Sequence, residues 1–480
     1  VVIRPLALAT LAAMLAACAV GPNYVRPDTP APAHFAQAVD SAQAQPTPAA
    51  DAEFWQAFND AELTHLVEDA LAANHDLRIA LAHYDGANAL LRGAKFDYFP
   101  TVTANATATD TRVGGGPEVK SYNVAANASW ELDVFGRVRR SVEASRADTA
   151  ASGADLAALQ VAIVGEVARS YFDLRGLQER LRVARENATN QQETLRLVGA
   201  RLDAGRGTEF DTSRARAQLE TTQSRVPALE AQVAVTMHRL AVLTGRTPDA
   251  LLAELQAPAP LPALPVAVDP GTPGDLLRRR PDVAAAEERL HAATARVGVA
   301  TADLFPHFTL GGLLGSTAGS AGDLFKGGSE TRLVALGIDW SFLDIGRVRA
   351  RIHAADADAD GELARYQQAV LLALEDTENA LVRYDRTRAE DAQLAAAAGD
   401  SANAARLARV RFDAGAVDLL DVLDAERTQL IAQDASADAR TRSATSLVAL
   451  YKAMAGGWPQ RLPERQTARA AMAGATEGGR

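Results

Sequence analysis

Residues that could do chemistry are sparse in this 480-residue chain, and the most suggestive lie at 408–430, ARVRFDAGAVDLLDVLDAERTQL. Asp421 and Asp424 are three residues apart, which places both carboxylates on one face of a helix, with Leu420 one turn before Asp424. An isolated Asp-x-x-Asp is most simply a solvated acidic face. If that face lines a pore built by symmetry, however, it makes stacked carboxylate rings that favour cations and can gate a neck, with Leu420 as an apolar collar. Just before it, Arg411-Phe412-Asp413-Ala414-Gly415 reads as a helix end, Gly415 suiting the left-handed position that closes a helix. Asp418 can cap the return helix. Arg411, with acids nearby, is a candidate for a salt bridge that holds such a tip shut.

The same tip occurs 210 residues earlier, as Arg201-Leu202-Asp203-Ala204-Gly205 followed by Asp211 and Arg214. Arg201 and Gly205 therefore join Arg411 and Gly415 as tip-lock and docking candidates, while Arg214 in place of Asp424 makes the first tip less acidic. Trp130-Glu131-Leu132-Asp133-Val134-Phe135-Gly136-Arg137 returns at the same offset as Trp340-Ser341-Phe342-Leu343-Asp344-Ile345-Gly346-Arg347. Upstream the offset becomes 206, pairing Phe99-Pro100 with Phe305-Pro306. Two copies in register describe an internal duplication, and the change of offset locates a glycine-rich loop between them.

Other chemistries find little support. The eight histidines are scattered without a metal-ligand spacing, and Gly114-Gly115-Gly116 lacks the Lys-Ser/Thr ending of a phosphate loop. The expectation is no catalytic residue and no metal. A balance of 49 basic to 60 acidic residues, net −11, argues against nucleic acid as a partner.

Arg4, the apolar run that follows it and Leu15-Ala16-Ala17-Cys18 read as a signal peptide over 1–17. Cys18 is the sole cysteine, so no internal disulfide can form. Its position resembles a bacterial lipobox, in which the cysteine becomes the lipidated first residue; a covalent lipid on Cys18 is the one cofactor expected. The Pro- and Ala-rich stretch over 18–59 reads as a tether leading into packed structure at Phe54, Trp55 and Phe58.

Two repeats then follow, 60–246 and 274–457, joined by 247–273, which holds seven prolines; 458–480 is a tail. In each repeat, alternating runs predict two strands, about 99–111 and 119–132, then about 305–316 and 331–343. These are near the 9–11 residues of a tilted membrane strand, with aromatic residues at their ends. Long helices are predicted at about 137–204 and 208–245, and again at about 347–414 and 418–456, with Pro227 as a kink. Leu156, Ile163, Val167, Leu174, Leu177 and Leu181 step by three and four along the first, a coiled-coil seam.

Four strands per chain leave open edges that a bilayer does not tolerate, and eight would give a barrel plugged by side chains. Three chains give twelve strands and a lumen, and their helices a tube. The lipobox start with Gly21-Pro22-Asn23-Tyr24, the WELDVFGRVRR corner and the RFDAG…LLDVLDAER tip resemble the TolC-like outer membrane factor family, in its nodulation-protein-T or OprM-type lipoprotein branch, over about 16–458. The resemblance implies a homotrimer in the outer membrane lipid: a twelve-stranded transmembrane β-barrel continuing into a periplasmic α-helical coiled-coil barrel with an equatorial domain. It implies a passive efflux duct, constricted at Leu420, Asp421 and Asp424, coupled to a periplasmic membrane fusion adaptor and an inner-membrane pump of the resistance–nodulation–division class. Trp130, Gly136, Trp340 and Gly346 mark its strand–helix corners. The second corner lacks the proline that many relatives carry, and the second tip has Ala416-Val417 where a small hydroxyl residue is usual. A protein-secretion duct and a non-conducting scaffold across the periplasm remain alternatives.

Overall fold

The computed structural model describes residues 19–28, 31–36, 53–264, 268–454 and 462–465. The signal segment 1–17, Cys18 and most of the tail 458–480 lie outside the described residues. The elements run α1 (Ala61–Ala73), α2 (His75–Phe96), β1 (Thr101–Thr111), β2 (Val119–Leu132), α3 (Arg137–Asp203), α4 (Glu209–Gln223), α5 (Arg225–Leu243), α6 (Leu252–Leu255), α7 (Pro273–Arg279), α8 (Pro281–Ala302), β3 (His307–Ala318), β4 (Glu330–Asp339), α9 (Ile345–Asp413) and α10 (Leu419–Met454). The order repeats as the duplication requires. Two expectations shift. The fourth strand ends at Asp339, so Phe342 stands in a 3-10 turn, Phe342–Asp344. The helix expected over 208–245 is two helices that meet at Ser224, because Pro227 has no N–H to bond back to the preceding turn.

The chain divides into two compact units. One gathers the segment 19–28, Ala82–Asp155 and Asp282–Val370 around a four-stranded antiparallel sheet of order β1-β2-β3-β4. Register sorts the faces: Ala106, Val124 and Ser316 lie in one row, and Ala104, Ala126, Leu314 and Arg332 in the next. Val102, Leu314, Val334, Leu336 and Ile338 share this face and are exposed, Val334 by 81%. The opposite face is polar, with the Asn127 amide donating to Asn105 Oδ1 at 2.6 Å and the Asn123 amide to Thr317 Oγ1 at 2.9 Å. Such a sheet puts hydrocarbon on one side and water on the other.

The Gly21-Pro22-Asn23-Tyr24 segment is clasped by the helices of this unit. Gly21, at φ 86°, lies so close over Gly298 that a Cβ would come within 2.5 Å of the Gly298 Cα. Buried Arg140 reaches Asn23 Oδ1 at 2.6 Å and Glu143 at 2.8 Å, while Tyr24 stacks on His291 at 4.5 Å. Burial disfavours the Glu143 carboxylate, but bonds from Arg140 and His291 outweigh it and hold its carboxyl below the usual range.

The other unit contains Leu156–Pro281 and the described residues of 30–81 and 371–480. Of the predicted seam, Leu156, Ile163, Val167, Leu174 and Leu181 are buried and Leu177 is partly buried. Phe54, Trp55 and Phe58 are buried too, Phe54 stacked on Tyr451 and Phe58 edge-on to Phe172. α3 and α10 approach where Gly176 faces Thr441, and Arg180 grips Asp434 with two bonds of 2.7 and 3.1 Å. A Cβ on Gly176 would stand 2.0 Å from Thr441 Oγ1, whereas one on Gly199, farther along α3, meets nothing within 4 Å. The two glycines should therefore respond with opposite sign in thermal unfolding. Gly176→Ala should destabilise by about 1–3 kcal/mol through overpacking, and Gly199→Ala should stabilise by up to about 1 kcal/mol through helix propensity.

Candidate functional site

Both tips close in the same way. Gly205 and Gly415 have φ of 71° and 73°. Their N–H groups donate to Leu202 O and Phe412 O, and the next N–H groups donate to Arg201 O and Arg411 O, the paired bonds of a Schellman ending. Each return helix is then started by a carboxylate: Asp211 completes a capping box with Thr208, and Asp421 Oδ2 accepts the Asp418 N–H at 3.3 Å. The tips pack into one cluster through Val198, Ala215, Phe412, Leu419, Val422 and Leu423.

The ion pair expected here is displaced. Arg201 lies over the Phe412 ring at 3.8 Å and donates to Phe412 O at 3.1 Å, without a carboxylate. Arg411 is exposed and makes no ion pair among the described residues. At the tip, α9 is joined to α10 by Arg409 with Glu426, whose side chain is 4% exposed. Thr194 on α3 donates to Glu426 Oε1 at 2.7 Å, and Oε2 has no hydrogen-bond partner among the described residues. The sequence did carry a signal for this: Glu426 continues the Leu419, Val422, Leu423, Leu430 spacing, so it sits in the seam and not on the surface.

Leu420, Asp421 and Asp424 do share an exposed face of α10, with Leu420 52% exposed. Ile431 follows on the same stripe, 55% exposed. Asp424 is not a bare charge, since Arg427 bonds its Oδ1 at 2.7 Å. On the first tip, Arg214 lies over the exposed Phe210 ring at 5.3 Å.

The corners match in part. Trp130 donates its indole N–H to Tyr98 O at 3.1 Å, and Trp340 donates to Leu304 O at 3.0 Å, each tying a strand end to the preceding helix end. The glycines differ. Gly136 has φ 85° and lies against Ala19, whereas Gly346 is inside the first turn of α9 with nothing near it. The cause is spacing: two residues separate Asp133 from Gly136, and one separates Asp344 from Gly346. Asp133 can therefore cap α3 through the Val138 and Arg139 N–H groups, at 3.0 and 2.9 Å, across a left-handed corner.

A four-stranded sheet with one apolar exposed face, joined through such corners to long helices ending in twin tips, defines a membrane-inserted channel subunit. The Outer membrane efflux protein family model matches residues 66–246 and 272–456, and the chain belongs to that family. It is 34% identical to outer membrane protein OprJ of Pseudomonas aeruginosa over 468 residues, 94% of this chain and 95% of the relative. Nodulation protein T of Rhizobium leguminosarum bv. trifolii is 31% identical, covering 93% and 96%. The solved structure of the outer-membrane channel OprN superimposes with a TM-score of 0.84 at 41% identity, over 92% of this chain and all of that one. The protein is thus an outer membrane efflux channel that extends into the periplasm.

Removing one member of a buried charge pair strands the other. Glu426→Ala should destabilise the tips by about 2 kcal/mol, at the low end because Arg409 is 32% exposed. Hydrogen exchange at amides 410–423 should accelerate. Glu426→Gln, which keeps the Thr194 bond, should lie between the variant and the native chain.

Proposed function

We propose that three copies of this chain form the exit duct of a tripartite efflux system. Twelve strands close a barrel in the outer membrane, and the helices continue as a tube into the periplasm. The observation that carries this reading is the sheet: four strands, an apolar exposed face and two unpaired edges, which lipid cannot satisfy. The duct is passive. A periplasmic adaptor docks on the tips near Gly205 and Gly415, and an inner-membrane pump of the resistance–nodulation–division class supplies the energy. Cys18 carries the covalent lipid, and the clasped Gly21–Tyr24 segment supports this by holding the following residues against the Gly136 corner.

The neck lies where the exposed Leu420, Asp421 and Asp424 stripes of three chains converge. Arg427 tempers this field by pairing with Asp424. Arg411, which has no ion pair among the described residues, and Arg201 act across chains on carboxylates of the neighbouring tips to hold them inward.

In planar bilayers the channel should conduct, which a periplasmic scaffold would not. Asp421→Ala with Asp424→Ala should lower cation selectivity and Arg427→Ala should raise it; selectivity indifferent to both changes would place the neck elsewhere. Arg411→Ala should raise resting conductance. Separately, Cys18→Ser should abolish metabolic labelling with palmitate, and undiminished label would remove the lipid assignment.

A further inference from the structure

The edges of the sheet carry an ordered pattern of charge. β1 and β4 each pair on one side only. Near its outer end the β1 edge presents Asp110 and then Arg112, which immediately follows the strand. The β4 edge presents Glu330 and Arg332 at its start. Asp110, Glu330 and Arg332 occupy the apolar face by register, opposite Lys120, Ser316 and Leu314, and Arg112 is the next position of that face if the β1 alternation runs on by one residue. Neither Glu330 nor Arg332 makes an ion pair among the described residues. Asp110 is 3.8 Å from Lys120 and Arg112 is 3.7 Å from Glu118, both exposed pairs of the kind worth little.

The sheet is also strongly staggered. A line along the hydrogen bonds from Ala106, the centre of β1, passes Val124 and Ser316 and arrives at Glu330, the first residue of β4. The strand centres thus slip by about one and a half residues per strand, the shear that closes a tilted barrel. Carried one strand further, the same slip sets the centre of the next chain's β1, the partner's Ala106, opposite Leu336.

We propose that the β4 edge pairs antiparallel with the β1 edge of a second copy in the register that sets Arg332 opposite the partner's Asp110 and Glu330 opposite the partner's Arg112. This inference rests on the trimeric reading above and specifies its seam. Stagger and charge reach it independently. A slip of two residues one way sets Glu330 against the partner's Asp110, and two the other way sets Arg332 against the partner's Arg112; like charges directly opposite are destabilising. A one-residue slip turns every side chain to the wrong face. The chosen register also seats Val334, Leu336 and Ile338 opposite three small residues, the partner's Ala108, Ala106 and Ala104, so that large side chains meet gaps.

Cysteine pairs in the full-length protein read the register directly, because a disulfide requires Cβ atoms about 4 Å apart and diagonal neighbours are too far. Under mild oxidation in membranes, Asp110→Cys with Arg332→Cys should give covalent dimers and trimers, while each single variant should give none. Ala108→Cys or Arg112→Cys, each combined with Arg332→Cys, should cross-link at least tenfold less. Preferential cross-linking of either control pair overturns the register while leaving the ring intact. No cross-link in any pair, with trimers still captured by an amine-reactive reagent, overturns edge pairing at these strands. No captured trimer at all sinks the trimeric reading, and this seam with it. Because single charge variants can fail to assemble, Asp110→Arg with Arg332→Asp supplies a rescue: heat-resistant trimers lost in either single variant should return in the double, and their absence there overturns the pairing of the two charges.

Discussion

A backbone N–H in hydrocarbon has nowhere to turn but to another strand, and β1 and β4 each leave one side unpaired. Within a single chain those two edges stay open, and the trimer proposed above is what would close them. The helices face the same condition in milder form. Leu407, Val410, Leu420 and Ile431 are exposed on α9 and α10 although apolar, while Val198, Phe412 and Val422 are buried within the chain. The strand edges and these helix faces are thus both left uncovered by the chain itself, which the proposed association would remedy.

The tips show a division between charge that holds and charge that acts. Glu426 is buried, bonded to Thr194 and Arg409, and spends its carboxylate on keeping α3, α9 and α10 together. Asp421 and Asp424 are exposed on the same helix, and their bonds are local ones, from the Asp418 N–H and from Arg427. Asp421 starts its helix, so the cap and the neck proposed above draw on one side chain. The duplication makes this visible, because Asp211 does the same capping work on a tip whose next position, Arg214, lacks the second carboxylate.

Periodicity and repetition made most of the fold legible in the sequence. The seam of α3, the strand faces and the left-handed glycines at both tips follow from local steric rules that a single chain obeys on its own. Three features were not legible for three different reasons. The break at Ser224 was placed at Pro227, because a missing N–H acts on the preceding turn. Gly136 and Gly346 aligned as equals, yet one residue fewer after Asp344 removes the left-handed corner. The Arg409–Glu426 pair is hidden because Arg411 looks like the stronger tip charge, although the seam spacing places Glu426 inside.

The composition of the strands has a consequence for how the protein reaches its membrane. β1, TVTANATATDT, has Val102 as its one large apolar side chain, and β3 spends three of twelve positions on glycine. β1 is short of large apolar side chains although its threonines are β-branched, and the glycines of β3 weaken its tendency to stack as cross-β. In water they have little to hide and form sheet weakly; their order comes from neighbours. If these strands build the barrel proposed above, they meet water before lipid with little apolar surface to hide, and Val334, Leu336 and Ile338 on β4 form their main adhesive patch.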